Sequence, residues 1–224
     1  MYGAATADLI DQAFETGAEH VVALMRHSAR TYLEGVHDLD NQLTDEGRGY
    51  ARELAQRLPA ELTIRGYTSP VERCRETAQI VLDAHAERGG DARRNRPVEA
   101  LGPFYALDQM RMWKGMSLAG SLAEYVDDWV AGKISPGAII RADQAANLIL
   151  DVLEDRLNAP LADRQKGQLE LCVSHDITLY MVRDRLLSQP TSTAPVQYLD
   201  ALVVYRQGGN LMMASHHGEP VRVR

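Results

Sequence analysis

Residues 21–30 have the sequence Val21-Val22-Ala23-Leu24-Met25-Arg26-His27-Ser28-Ala29-Arg30. The first five residues are apolar and two of them are β-branched, which predicts a strand that is buried on both faces. The next five contain two arginines and a histidine, and ligands of open α/β sheets bind where the strands end. The stretch therefore predicts a phosphate pocket at the edge of a sheet, because arginine pairs well with phosphate oxygens.

Two other predicted strands end in similar polar clusters. Ser69-Pro70-Val71-Glu72-Arg73 follows a predicted strand over 62–68, and Ser174-His175-Asp176 follows one over 169–174. If these strands are parallel neighbours of the first, the three clusters meet at one edge of the sheet. We expect Arg73 to lie about one turn into a helix and to share a phosphate with the free N–H groups of that helix end.

Hydrophobic periodicity and turn residues predict alternating strands and helices along most of the chain. The predicted strands are 20–26, 62–68, 98–101, 169–174, 199–206 and 210–215, and the predicted helices are 1–16, 44–58, 69–86, 118–130, 141–157 and 177–187. Residues 31–42 and 87–96 are predicted to be loops. This alternation predicts an α/β fold, a three-layer α/β/α sandwich with a mainly parallel central sheet. We expect one domain over 1–224, with a helical insertion at about 102–136.

The composition restricts the class of function. The chain has 24 Lys and Arg against 31 Asp and Glu, a net charge of −7, which argues against binding to nucleic acid or an anionic membrane. Apolar residues do not form a run of about 18, and no secretion signal is visible, so we expect a cytoplasmic protein. Cys74 and Cys172 lie in apolar patterns and are expected to be buried, reduced thiols. The sequence gives no signal for an oligomeric state.

A histidine among arginines has two interpretations. It is a structural residue that hydrogen-bonds a backbone carbonyl, or it is a nucleophile whose second ring nitrogen attacks phosphorus. Two histidines and three arginines at the strand ends favour the nucleophile for His27. The arginines would stabilise charge on the phosphoryl oxygens, and His175 would be a second phosphate donor.

Four motifs resemble the histidine phosphatase superfamily, which includes phosphoglycerate mutases and acid phosphatases. They are Arg26-His27 after a buried strand, Leu43-Thr44-x-x-Gly47, Ser69-Pro70-x-x-Arg73-Cys74-x-x-Thr77-Ala78, and Ser174-His175-Asp176. The motifs stand in the family's order and extend over roughly 20–180. The resemblance implies that His27 is the phosphorylated nucleophile and that Arg26, Arg73 and His175 bind the transferring phosphate. Arg30 matches the second arginine of the acid-phosphatase pattern.

The resemblance leaves the general acid open between several residues. Asp176 looks like the donor of acid phosphatases, although its position also fits an N-cap of the following helix. The mutase branch takes its donor from the segment after the third strand, where Glu99 and Asp108 stand. Ser28 replaces the glycine that is usual after the histidine, and it either crowds the pocket or adds a hydroxyl donor.

Several other residues are candidates for contact with the substrate or a metal. His37 lies in the loop over 31–42 and is expected near the substrate. His216-His217 would need further metal ligands, which the sequence does not align, so we expect no metal. The apolar residues of the insertion are interpreted as packing, with a lid over the organic part of the substrate as the alternative; they are Met110, Met112, Trp113 and Met116.

Together these features predict a metal-independent phosphatase that hydrolyses a small phosphate monoester through a phosphohistidine and needs no cofactor. The alternatives are a phosphoglycerate-mutase-like phosphotransferase and a protein that binds a phosphorylated ligand without turnover.

Overall fold

The structure, a computed structural model, describes residues 1–162 and 167–224. The helices are α1 (Ala4–Glu15), α2 (Asp45–Arg57), α3 (Glu72–Glu87), α4 (Gln109–Leu118), α5 (Leu122–Val130), α6 (Ala142–Leu157) and α7 (Asp176–Leu187). The strands are β1 (His20–Arg26), β2 (Thr63–Thr68), β3 (Asp91–Pro97), β4 (Gln168–Ser174), β5 (Ala201–Gln207), β6 (Asn210–Ser215) and β7 (Gly218–Arg222). Within these described ranges, no helix is long and apolar enough to span a membrane.

The strands form one seven-stranded sheet in the order β3-β2-β4-β1-β5-β6-β7. Strands β3, β2, β4 and β1 run parallel, and β5, β6 and β7 are each antiparallel to the preceding strand in the sheet. Arg26 at the end of β1 lies opposite Ser174 of β4, and Thr68 of β2 lies opposite Val173. The carboxyl ends of β2, β4 and β1 therefore lie side by side at one edge of the sheet.

Strand β1 is buried on both faces, as its apolar sequence predicts. Val22 and Leu24 pack on one face with side chains of helices α4 to α7. Val21, Ala23 and Met25 pack on the other face with side chains of helices α1 to α3. Because apolar side chains of successive strand residues point to opposite faces, one short strand anchors two cores. The predicted α/β/α sandwich is confirmed, and helices α4 and α5 lie within the predicted helical insertion.

Three of the elements predicted between residues 69 and 101 differ from the structure. Residues 91–97 form strand β3 rather than a loop, and residues 99–101 form a 3₁₀ helix rather than a strand. Among the described residues, strand β3 pairs with β2 alone at the edge of the sheet, so its arginines are exposed and its composition is typical of a loop. The helix predicted over 69–86 begins at Glu72, so Arg73 is its second residue and does not lie one turn into it. The exposed strand β7 was not predicted.

Helix α2 begins against the backbone that follows β1. Thr44 caps the helix by accepting a hydrogen bond from the Gly47 N–H at 3.0 Å. The Ser28 hydroxyl donates to the Gly47 carbonyl oxygen at 2.7 Å. A Cβ atom on Gly47 would lie 2.1 Å from the Ala29 carbonyl oxygen, so this approach requires glycine.

We expect Gly47→Ala to lower the free energy of unfolding by about 2–3 kcal/mol, because the added methyl group overlaps a fixed backbone oxygen. Gly49→Ala is the matched control, since a Cβ atom there meets nothing within 4 Å. That control should raise the free energy of unfolding by about 1 kcal/mol through helix propensity. Chemical denaturation of the three proteins measures both changes. Equal stability of the two variants would contradict the close approach.

Candidate active site

The three polar clusters meet at the sheet edge formed by β2, β4 and β1. His27 directly follows β1, Arg73 is the second residue of α3, and His175 lies between β4 and α7. The Nε atom of Arg73 donates a hydrogen bond to Nε2 of His27 at 3.0 Å. The rings of His27 and His175 lie 5.6 Å apart between their centroids. The fold therefore brings together, as predicted, side chains that are far apart in sequence.

The hydrogen bonds of His27 identify its tautomer. Its Nδ1 atom lies 2.7 Å from the Ser28 carbonyl oxygen, which can only accept, so Nδ1 carries the proton. Its Nε2 atom faces the Arg73 guanidinium, which can only donate, so Nε2 presents a lone pair. Burial and the neighbouring His175 and Arg73 hold the pKa of His27 well below its usual range. The ring is therefore neutral, with a basic nitrogen directed at a cation.

His175 is also held neutral. Burial, with a further contribution from Arg73, lowers the pKa of His175 to about 3. Its Nδ1 atom lies 3.4 Å from Nη2 of Arg73, and its Nε2 atom lies 2.9 Å from the Ser69 hydroxyl. Because arginine cannot accept, Nδ1 accepts from Arg73 and Nε2 donates to Ser69. Ser69 thus orients His175, a contact that the sequence analysis did not predict.

Asp38 is the anion that the arginines bind in this structure. Its carboxylate pairs with Nη2 of Arg30 at 2.5 Å and with Nη2 of Arg73 at 3.2 Å. Its backbone carbonyl oxygen accepts a hydrogen bond from Nη1 of Arg73 at 2.8 Å. Burial lowers the pKa of Arg73, whose side chain is 3% exposed. Asp38 cannot be predicted from the sequence, because the loop over 31–42 has neither a motif nor a period.

We expect Asp38→Asn to tighten the binding of inorganic phosphate, measured as a competitive inhibition constant, by about threefold to tenfold. The variant removes an internal anion that pairs with Arg30 and Arg73 and competes with phosphate for them. Asp40→Asn is the control, because it removes the same charge from an exposed position in the same loop. If both variants bind phosphate like the parent protein, Asp38 does not compete for the anion site.

The Arg26 guanidinium contacts residues of two other segments of the chain. Its Nη2 atom pairs with Oδ2 of Asp176 at 2.7 Å, and its Nη1 atom donates to the Val196 carbonyl oxygen at 2.7 Å. Its guanidinium lies over the Tyr198 ring, 4.2 Å from the centroid. Oδ1 of Asp176 also accepts a hydrogen bond from the Ile177 N–H, while His175 occupies the N-cap position of α7. Asp176 therefore has a fixed orientation beside the arginine.

A cavity of about 250 Å³ opens onto these groups. Its polar end is formed by His27, Arg30, Asp38, Arg73, His175 and Asp176. Two arginines, two neutral histidines and two carboxylates thus share one end of a cavity. This set can bind an anion, attack it with a ring nitrogen and move a proton.

The comparison with known families agrees with this geometry. The model of the histidine phosphatase superfamily (branch 1) matches residues 22–93, a segment that includes His27 and Arg73. The resemblance to the histidine phosphatase superfamily is confirmed. A search of curated protein sequences finds no significant match.

Solved structures of other proteins share the fold of the chain. YhfR from Bacillus stearothermophilus is 22% identical, with a TM-score of 0.58, covering 89% of this chain and 100% of its own. A phosphoserine phosphatase mutant from Entamoeba histolytica is 18% identical, with a TM-score of 0.54 and coverages of 88% and 95%. Phosphoglycerate mutase from Bacillus anthracis is 17% identical, with a TM-score of 0.55 and coverages of 90% and 94%. These neighbours include a phosphatase and a mutase.

Ser28, which replaces the glycine usual in the family, is directed away from the cavity. It is fully buried, and its hydroxyl donates to the Gly47 carbonyl oxygen on α2. Its backbone N–H donates to the hydroxyl of Thr77 on α3 at 3.1 Å. Because the hydroxyl is used in packing, Ser28 neither fills the cavity nor offers it a donor.

Three other candidates lie outside the cavity lining. Asp108 caps α4 by accepting a hydrogen bond from the Arg111 N–H at 3.0 Å, and Glu99 is exposed. The His37 ring accepts from the Leu39 N–H at 3.3 Å and packs edge-on against Trp113 at 5.5 Å. Asp176 and Asp38 are the carboxylates that line the cavity among the described residues. This arrangement favours Asp176 over Asp108 and Glu99 as a proton donor.

One group of potential metal ligands lies away from this cavity. Among residues 1–162 and 167–224, ligand atoms of Asp200, His216 and His217 lie within 4.8 Å of one another. The sequence analysis did not align Asp200 with the two histidines. The Asp200 carboxylate already accepts a hydrogen bond from the Gln197 N–H at 2.6 Å. These residues do not line the cavity and enter none of the steps proposed below.

Proposed function

We propose that the chain is a phosphoric monoester hydrolase that works through a phosphohistidine at His27. The observation that carries this proposal is the tautomer of His27, whose Nε2 lone pair faces the guanidinium of Arg73 at 3.0 Å. An anion held by that guanidinium would lie beside an unprotonated nucleophile. Because the pKa of His27 is lowered, the nucleophile stays neutral from neutral pH into the acidic range.

In the first step, Nε2 of His27 bonds to phosphorus and the bond from phosphorus to the alcohol oxygen breaks. Asp176 takes up the proton of the monoanionic phosphate ester and gives it to the leaving oxygen, which departs as the alcohol. Arg30 and Arg73 bind the phosphoryl oxygens in place of Asp38, and Arg26 adds positive charge beside Asp176. These cations stabilise the negative charge that spreads over the oxygens in the transition state.

In the second step, a water molecule attacks phosphorus and Asp176 takes its proton. The bond from phosphorus to Nε2 breaks, so His27 returns to its neutral form and inorganic phosphate leaves. Once the phosphate accepts from Nη2 of Arg73, His175 donates to the phosphate from Nδ1 in its second tautomer, while the Ser69 hydroxyl reverses and donates to Nε2. The hydroxyl can serve in either direction, so this exchange of tautomers requires no movement of the rings.

The reaction as proposed requires neither a metal nor another cofactor, because arginines supply the cationic charge. We propose a small phosphorylated molecule as substrate. The net charge of −7 supports this proposal, because it opposes binding to polyanions such as nucleic acid. The positive charge of the cavity is confined to the phosphate end, where Arg30 and Arg73 lie.

We expect Asp176→Asn to slow the hydrolysis of alkyl phosphates by about 10²–10⁴-fold, because a poor leaving group needs a proton. Release of p-nitrophenolate in the first turnover should fall far less, since p-nitrophenolate leaves without protonation, while later turnovers of both substrates still need Asp176 as the base. The asparagine Oδ1 atom can still accept from the Ile177 N–H, which preserves the helix end. Single-turnover rates of alcohol release from both substrates measure the contrast. An equal loss in these single-turnover rates would exclude Asp176 as the general acid.

The reaction class is tested by assaying p-nitrophenyl phosphate hydrolysis with EDTA present, and by measuring nitrophenol and inorganic phosphate together. A hydrolase releases both products in equal amounts. Nitrophenol in excess over phosphate, in the presence of an acceptor alcohol, would indicate a phosphotransferase of the mutase type. Phosphate that protects the fold from heat without any turnover would indicate a binding protein.

A further inference from the structure

The cavity beyond the phosphate end is built almost entirely from apolar side chains. Most of them come from helix α4 and the segments on either side of it; they are Pro103, Tyr105, Met112, Trp113, Met116 and Leu122. The sequence predicts that the methionines and the tryptophan of α4 are packing residues, with a lid over the substrate as the alternative. Their position in the cavity lining favours the alternative.

The two sides of this apolar end differ in rigidity. Tyr105 is fully buried, its hydroxyl is paired with the Thr178 hydroxyl at 3.0 Å, and its ring packs on Trp129 at 5.0 Å. It therefore forms a fixed part of the cavity lining, with its polar atom already bonded. Met112 and Met116 are four residues apart and share one side of α4. Methionine side chains adapt to ligands of different shape, so this side can adjust.

Positive charge is absent from the apolar end among the described residues that line it. The cationic side chains of the lining are Arg30 and Arg73, both at the phosphate end. The basic residues of α4, Arg111 and Lys114, are exposed and do not line the cavity, and Arg111 is paired with Asp108. A carboxylate or a second phosphate on the substrate would be desolvated there without a partner, which is strongly unfavourable.

The cavity volume also limits the size of the leaving group. A dry cavity of roughly 150 Å³ is large enough to hold benzene in another protein. The volume here, about 250 Å³, leaves room for an aromatic ring beside a phosphoryl group. Tyr32, which is 68% exposed and stacks over the Arg30 guanidinium at 3.9 Å, forms part of the lining next to the phosphate end.

Building on the proposed hydrolase activity, we infer that the substrates are phosphate monoesters of uncharged, apolar alcohols, with aromatic alcohols fitting best. The inference excludes substrates with a second anionic group, such as phosphoglycerate and phosphoserine. The organic part of the substrate would pack against the cavity surface formed by Tyr105, Met112, Trp113 and Met116.

The test compares phenyl phosphate with 4-carboxyphenyl phosphate by kcat/KM. The carboxylate makes the phenol a slightly better leaving group, so a lower rate reflects the cavity rather than the chemistry. We expect kcat/KM for the carboxylate to be at least about tenfold lower, because its charge has no partner. Equal or higher kcat/KM for the carboxylate would overturn the inference while leaving the hydrolase in place.

The preference can also be measured without turnover. Phenylphosphonate and 4-carboxyphenylphosphonate cannot be hydrolysed, and calorimetry gives their dissociation constants even if the hydrolase proposal fails. We expect the uncharged compound to bind at least about tenfold more tightly. Equal affinities would overturn the inference whether or not the protein turns over phosphate esters.

A pair of variants links the preference to the cavity wall. Met116→Lys places a cation at the apolar end and should shift the preference toward the carboxylate by about tenfold. Met110→Lys adds the same charge to the same helix at a residue that is 79% exposed and outside the lining. It should leave the preference unchanged. The same shift in both variants would show that long-range charge, rather than the cavity wall, sets the preference.

Discussion

Replacing His27 with alanine should reduce kcat for p-nitrophenyl phosphate by about 10⁴-fold or more, because the variant has no atom to accept the phosphoryl group. The geometry behind this expectation is specific to one nitrogen. The proton on Nδ1 is committed to the Ser28 carbonyl oxygen at 2.7 Å, which leaves Nε2 as the attacking atom. Water attacking phosphorus directly would have no basic group in the place of the ring.

The pH profile provides a second test of His27. Burial lowers the pKa of His27, so its Nε2 atom is not protonated as the pH falls through 6.5. We therefore expect kcat/KM to show no inflection from the nucleophile near that pH. The free energy of unfolding, in contrast, should change in this pH range, because unfolded histidines bind protons below pH 6.5 while the buried ones do not. The free energy of unfolding should fall as the pH drops below 6.5, and less steeply in His27→Ala.

The control for His27→Ala is His216→Ala, which removes an exposed histidine outside the cavity. It should retain full activity. Binding of inorganic phosphate should survive in His27→Ala, because Arg30 and Arg73 remain. A His27→Ala protein that folds, binds phosphate and keeps a tenth of the parent activity would exclude the phosphohistidine route.

Arg73→Ala should lower kcat/KM by about 10³-fold, an effect second only to that of His27→Ala. One guanidinium makes three contacts in the site: with Nε2 of His27, with Nδ1 of His175 and with Asp38. Its removal takes away the cation nearest to the nucleophile and a partner that orients both rings. The transition state loses more than the bound substrate does, so kcat should fall along with the affinity.

Arg73→Lys separates charge from geometry. Lysine keeps the positive charge but lacks the planar fork that can contact two groups at once. We expect it to retain less than about a tenth of the activity. Arg75→Lys is the control, because Arg75 lies on the same helix with a side chain that is 53% exposed. Full activity of Arg73→Lys would mean that the site needs only a positive charge there.

The meeting of the three polar clusters could be predicted from the sequence because it follows from strand direction. Parallel neighbours place their carboxyl ends at one edge, so an apolar run before each cluster was sufficient to predict the geometry around His27, Arg73 and His175. The second motif requires glycine at position 47 because Gly47 lies against the Ala29 carbonyl oxygen, which leaves no room for a side chain.

The contacts that the sequence did not predict come from segments without a period. Asp38 pairs with two arginines from a loop with only a short 3₁₀ helix, and Val196 and Tyr198 reach Arg26 from the segment before β5. Strand β3 was missed because its charged side chains are solvated at the sheet edge. In each case the tertiary neighbour, rather than a local pattern, determines the role of the residue.

Rapid quenching with ³²P-labelled substrate detects the covalent intermediate on His27 most directly. We expect protein-bound label that survives alkali, is lost in acid, maps to the peptide containing His27 and is absent from His27→Ala. Label on another residue, or steady-state turnover without any labelled protein at the shortest quench times, would contradict it.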